Sequence, residues 1–171
     1  KHFTLNDALK NKKVFISFQG VATSIFVWVN GNFVGYSEDS FTPSEFEISD
    51  YLVEGDNKLA VAVYRYSTAS WLEDQDFWRL YGIFRDVYLY AIPKVHVQDL
   101  FVKGDYDYQT KAGQLDIDLK TVGDYEDKKI KYVLSDHEGI VTEGDASVNG
   151  DGELSVSLEN LKIKPWSAES P

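Results

Sequence analysis

Apolar and polar positions alternate with a period of two along much of the chain. Leu115-Asp116-Ile117-Asp118-Leu119 and Leu154-Ser155-Val156-Ser157-Leu158 alternate strictly, the pattern of antiparallel strands with one face in water. Val14–Phe18, Val87–Tyr90, Val95–Val97 and Lys131–Leu134 predict further short strands. Phe26–Val29 and Phe33–Tyr36 flank Asn30-Gly31, a pair that supplies the two positive φ angles of a type I′ hairpin turn. Leu59 to Tyr66 sets Leu59, Val61 and Val63 between the smaller Ala60 and Ala62, which predicts a buried strand. Trp28, in mid-strand beside Val27 and Val29, is expected in the core. No window of helical length carries an apolar stripe at a spacing of 3.6. Ser44 to Leu52 predicts one helical turn, with Ser44 and Glu47 fitting a capping box. Many short strands separated by turn signals predict an all-β protein of two sandwiches rather than an α/β design.

Composition divides the chain. Residues 1–91 hold 19 of the 25 aromatic side chains and all three arginines, whereas residues 92–171 hold 16 of the 28 acidic residues. The Ile92-Pro93 step is the expected domain boundary, since proline resists continuing a central strand. A net charge of −11 argues against a nucleic-acid or anionic-membrane binder, which needs a basic surface. Zero cysteines exclude disulfides, thiolate metal sites and a cysteine nucleophile. With no membrane-length apolar run, no signal-peptide h-region and no Asn-x-Ser/Thr sequon, the expected location is the cytoplasm.

Candidate chemistry is sparse. His2, His96 and His137 are scattered and predict no zinc site. Asp105-Tyr106-Asp107 opens like a calcium loop, but Gln109 and Thr110 stand where an acidic residue and a glycine are needed, so a solvated turn is expected. Asn149–Glu153 predicts a hairpin turn. No Gly-x-Ser-x-Gly elbow occurs, and no carboxylate pair is marked by its context as a glycosidase pair. The distinctive stretch is Trp71 to Val87, where Glu73, Asp74 and Asp76 lie among Trp71, Phe77, Trp78 and Tyr81. Two readings stand side by side. One is a core edge closed by Arg–Asp pairs, Arg85 with Asp86 among them. The other is a sugar site, in which aromatic faces stack on pyranose C–H groups and carboxylates accept from hydroxyls.

Glu73-Asp74-Gln75-Asp76-Phe77-Trp78-Arg79, followed by Gly82-Ile83-Phe84-Arg85-Asp86-Val87, closely resembles a segment of the large bacterial β-galactosidases of glycoside hydrolase family 2. The likeness continues in Phe18-Gln19-Gly20-Val21, Trp28-Val29-Asn30-Gly31, Val34-Gly35-Tyr36, Pro43-Ser44-Glu45-Phe46, Asn57-Lys58-Leu59-Ala60-Val61 and Pro165-Trp166-Ser167-Ala168-Glu169. The motifs cover most of residues 3–91, and the second half matches weakly apart from its end. The resemblance implies a jelly-roll sugar-binding domain over 1–92, short of its first strands, and an immunoglobulin-like sandwich over 93–171, short of its last. It places both catalytic glutamates of a retaining β-galactosidase in a (β/α)₈ barrel outside this chain, so a fragment inactive alone is expected.

By the same resemblance Asp76 is the substrate-binding carboxylate, which helps hold the galactose 6-hydroxyl in part through a sodium ion shared with the barrel. Trp78 and Arg79 support it. Sodium and magnesium are the implied cofactors of the whole enzyme. Thr68 stands where an aspartate of the family's outer magnesium site is expected, so that site is not carried over. Glu73 and Asp74 receive no role. The implied partners are a β-galactoside such as lactose, the barrel of the same chain and further copies in a homo-oligomer, with neither nucleic acid nor membrane. The alternative reading is a free-standing carbohydrate-binding module without catalysis.

Overall fold

The computed structural model describes residues 1–73, 76, 78, 80–126 and 128–169. Strand makes up 57% and helix 6%, so the fold is all-β as expected. The chain divides into two compact units, Lys1–Pro93 and Lys94–Pro171.

The first unit runs β1 (His2–Thr4), β2 (Lys13–Phe18), β3 (Val21–Ala22), β4 (Ser24–Val29), β5 (Asn32–Ser37), β6 (Ser44–Glu47), β7 (Asp56–Tyr64), the single turn α1 (Ala69–Leu72), β8 (Gly82–Ile83) and β9 (Val87–Ile92). One sheet has the order β1-β7-β4-β5, a second β6-β2-β9, and β3 pairs with β8; every pairing is antiparallel. Alternation along β2 and β4 explains how the sheets meet. Val14, Ile16 and Phe18 of β2 and Ile25, Val27 and Val29 of β4 form one buried cluster with Val21 and Ile48. Each such side chain contributes about 1.5–3 kcal/mol on leaving water.

The Asn30-Gly31 turn forms as its sequence predicts, with φ +52° and +84°. The same parity that buries Val27 and Val29 turns Trp28 to the outer face, which corrects the expectation of a core tryptophan. There its ring lies beside Phe33 (centroids 5.6 Å) and parallel to Phe26 (6.3 Å, 19°). Tyr36 and Tyr64 pack on Phe26 from the flanking strands.

Two other expectations are corrected. Ser44 and Glu47 do not cap a helix, because they pair with Phe18 and Phe15 of β2 as the ends of β6. Phe46, between them, packs against Phe18, and the helical turn is a 3₁₀ turn further on, at Ser49–Tyr51. β7 is less buried than its apolar run suggests: Ala60 and Val61 are exposed, and Leu59, Ala62 and Val63 are half-buried.

The second unit comprises β10 (His96–Asp107), β11 (Ala112–Val122), β12 (Lys129–Asp136), β13 (Gly139–Ser147) and β14 (Glu153–Leu161). β10-β11-β14 form one antiparallel sheet and β12-β13 another. The Asp105–Asp107 stretch ends β10. Asp107 Oδ1 accepts from Gln109 N at 2.7 Å and Oδ2 from Thr110 Oγ1 at 2.8 Å, so this is a self-bonded turn. The Asn149–Glu153 turn is closed by Gly152 N donating to Asn149 O and Asn149 N to Glu153 O, both at 3.0 Å. It joins strands of different sheets, so it is a crossover turn and not the hairpin its residues suggest.

Candidate functional site

The elements that precede Asp76 in the sequence are held by side-chain hydrogen bonds, some to backbone and some to other side chains. Upstream of α1, Ser67 Oγ donates to Thr23 Oγ1 at 2.9 Å, and Ser67 N donates to Ser70 Oγ at 2.8 Å. Thr23 Oγ1 in turn reaches the carbonyls of Tyr64 (3.2 Å) and Arg65 (3.3 Å), which fastens the entry to α1 onto the β3–β4 junction.

The loop after β5 folds on its own aspartate. Asp39 Oδ1 accepts from Phe41 N (2.9 Å) and Thr42 N (3.0 Å), while Oδ2 accepts from Thr42 Oγ1 at 2.5 Å. The Thr42 hydroxyl, and then its N–H, holds the Asp39 carboxyl below the usual carboxylate range. That loop and α1 are joined by two further carboxylates. Glu38 Oε2 accepts from Ala69 N at 2.9 Å, and its other oxygen accepts from the Tyr36 hydroxyl. Glu73 Oε1 accepts from Ser40 N at 2.8 Å and Oε2 from Ser40 Oγ at 2.6 Å. Ser40 is 2% exposed.

Asp76, three residues beyond Glu73, is exposed, and so is Trp78, at 92%. Arg79 lies outside the described residues, as do Asp74, Gln75 and Phe77. Arg85 donates through Nη1 to the carbonyls of Phe41 (2.9 Å) and Gln19 (3.2 Å), so it serves to tie loops together. The backbone carbonyl of Asp86 accepts from Gln19 N at 3.0 Å. Phe84 and Arg85 press so closely on Gly20 that a Cβ there would meet each at 2.9 Å. The contacts of Glu38, Ser40 and Glu73 escape sequence reasoning, because 31 and 33 residues separate the partners.

His2 Nδ1 lies 2.5 Å from Asp56 Oδ2, His137 lies 3.5 Å from Glu138, and His96 begins β10. Among the described residues no group of three or more His, Cys, Asp or Glu is placed to hold a metal ion. No helix among them is long and apolar enough to cross a membrane.

The chain is 99% identical over all 171 residues to a β-galactosidase of Streptococcus thermophilus, and it spans 17% of that protein's length. A β-galactosidase of Clostridium acetobutylicum is 55% identical over 169 residues, which are 99% of this chain and 19% of that one. Among solved structures, a Bacteroides uniformis β-glucuronidase superposes with a TM-score of 0.73 at 22% identity, over 99% of this chain and 22% of that one. A Bifidobacterium dentium β-glucuronidase does so with a TM-score of 0.72 at 17% identity, over 99% and 34% of the two chains. At such identities the likeness is one of fold. Residues 1–93 match the family model described as glycosyl hydrolases family 2, sugar binding domain, and the chain belongs to that family.

Proposed function

We propose that residues 1–171 are the non-catalytic N-terminal part of a retaining β-galactosidase, which removes terminal non-reducing β-D-galactose from substrates such as lactose. The observation that carries this reading is the 99% identity along the whole chain to a β-galactosidase. In it, residues 1–92 are the sugar-binding jelly roll and 93–171 the immunoglobulin-like sandwich. The catalytic acid/base and nucleophile are glutamates of a barrel outside these residues, the enzyme is a cytoplasmic homo-oligomer, and the isolated chain is inactive.

Asp76 serves the galactosyl subsite. Its exposed carboxylate is an acceptor for the galactose 6-hydroxyl, reached directly or through sodium. A hard cation takes oxygen ligands, and the Asp76 carboxylate is one such donor. In this reading the remaining sodium ligands come from the barrel. Magnesium, the other cofactor of the whole enzyme, is assigned no ligand here. Trp78 and Arg79 fix the segment. In the complete enzyme, Asp76→Asn is expected to lower kcat/KM for nitrophenyl β-galactoside by about 10²-fold and to weaken any sodium dependence, because a substrate misplaced by ~1 Å costs that much. Unchanged kinetics would return Asp76 to a structural role.

One observation favours a second reading, the carbohydrate-binding module. Phe26, Trp28, Phe33, Tyr36 and Tyr64 form a continuous aromatic surface on the outer face of β4, β5 and β7. Rings of this kind stack on sugars.

A further inference from the structure

Helix α1 is a single turn and cannot hold its own orientation, since nucleating a lone turn is unfavourable. Besides the Thr23 bonds at its entry, its orientation depends on what grips its two ends. At the start, the Ala69 N–H, one of the donors a helix leaves unmet, points at Glu38 Oε2 (2.9 Å). At the end, both oxygens of Glu73 take the two donors of one residue, Ser40 N–H and Oγ–H (2.8 and 2.6 Å). A two-point bond of a carboxylate fixes its plane as well as its position. The anchoring side is firm, because Ser40 is buried and the loop that carries it is closed by Asp39 on Phe41 and Thr42.

We propose that Glu73, assisted by Glu38, is a positioning residue for Asp76, clamping α1 to the Ser37–Thr42 loop so that the Asp76 carboxylate is delivered to the galactosyl 6-hydroxyl. This rests on the reading of Asp76 given above. Glu73 itself does not touch the sugar; its two oxygens face Ser40.

The test uses the complete β-galactosidase and two substrates, nitrophenyl β-D-galactoside and nitrophenyl β-D-fucoside, the second being the same sugar without its 6-hydroxyl. Glu73→Ala is expected to lower the galactoside-to-fucoside ratio of kcat/KM by about tenfold, a part of the ~10²-fold that a misplaced group costs. Glu73→Gln keeps an acceptor for Ser40 N–H and recovers most of the ratio. On an Asp76→Asn background, Glu73→Ala leaves the ratio unchanged. If Glu73→Ala yields no folded enzyme, Ser40→Ala removes one of the two bonds and is expected to lower the ratio about threefold, as loss of one modest hydrogen bond does.

A ratio untouched by Glu73→Ala or Ser40→Ala but lowered by Asp76→Asn overturns the clamp and spares the reading of Asp76. A ratio untouched by Asp76→Asn removes that reading and the clamp with it. Equal losses on both sugars in Glu73→Ala reduce Glu73 to a stability role and likewise overturn the proposal.

Discussion

Asn30 donates its amide to Asn57 Oδ1 at 2.8 Å, joining the β4–β5 turn to the start of β7 through two side chains. Asn57 is 0% exposed and fully bonded: Oδ1 also accepts from Val53 N (2.9 Å), and Nδ2 donates to the carbonyls of Val53 (3.0 Å) and Gly55 (3.2 Å). Asn57→Leu removes the acceptor of the Val53 N–H and of one N–H of the Asn30 amide, whose nitrogen keeps its bond to Tyr51 O at 2.8 Å. Each unmet buried group costs about 1–3 kcal/mol, so a loss of at least ~2 kcal/mol is expected from urea denaturation of the 171-residue chain. A midpoint equal to that of the parent would show that water reaches these groups.

Gly123 has φ +105°, and a Cβ there would lie 2.2 Å from Lys94 O. Both the backbone region and the space exclude a side chain. Gly123→Ala is expected to destabilise the second unit by roughly 2 kcal/mol or more, combining positive-φ strain with overpacking. Amide exchange should show the loss in β10 and β11; unaltered protection there would refute it.

Tyr90 stacks on Phe15 (5.2 Å, 13°) and donates its hydroxyl to Glu45 at 3.1 Å, linking β9, β2 and β6. Burial first, and then the bond to the Glu45 carboxylate, push its phenol up to about 12 from 10.0. The folded state thus prefers the protonated phenol. That preference contributes its full stability below the unfolded value and loses it as pH rises through the folded one, a window of about 10 to 12. Chemical melts across this window should show a steeper loss for the parent than for Tyr90→Phe, which keeps the ring and has no proton to lose. Parallel losses would contradict the assignment.

Galactose is expected to bind the isolated chain only feebly, because the proposed subsite draws most of its groups from outside residues 1–171. Calorimetry distinguishes this from the second reading. Micromolar affinity, lost on Trp28→Ala, would favour the outer aromatic face as an independent sugar platform.

Strand positions were legible where chemistry is local. Asn30-Gly31 carries its turn type in its own φ preferences, and the Leu115–Leu119 run lies within β11, with Asp118 exposed between half-buried Ile117 and Leu119 although Asp116 is half-buried too. What failed needed a partner. Trp28 and Val27 are both apolar, so the pattern cannot say which faces β2; the observed cluster puts Val27 inward. Ser44 and Glu47 satisfy a capping rule, yet pairing with β2 decides their conformation. The Asp76 segment stands out by composition, but nothing local marks Ser40 as the residue that the Glu73 carboxylate grips.

The clamp between Ser40 and Glu73 also bears on the order of events during folding. Its ends are 33 residues apart, with β6 and β7 between them. Closing so long a loop is entropically costly until those strands have docked. The Ser40–Glu73 bonds are therefore expected to form only after β6 and β7 have docked and shortened the loop between them.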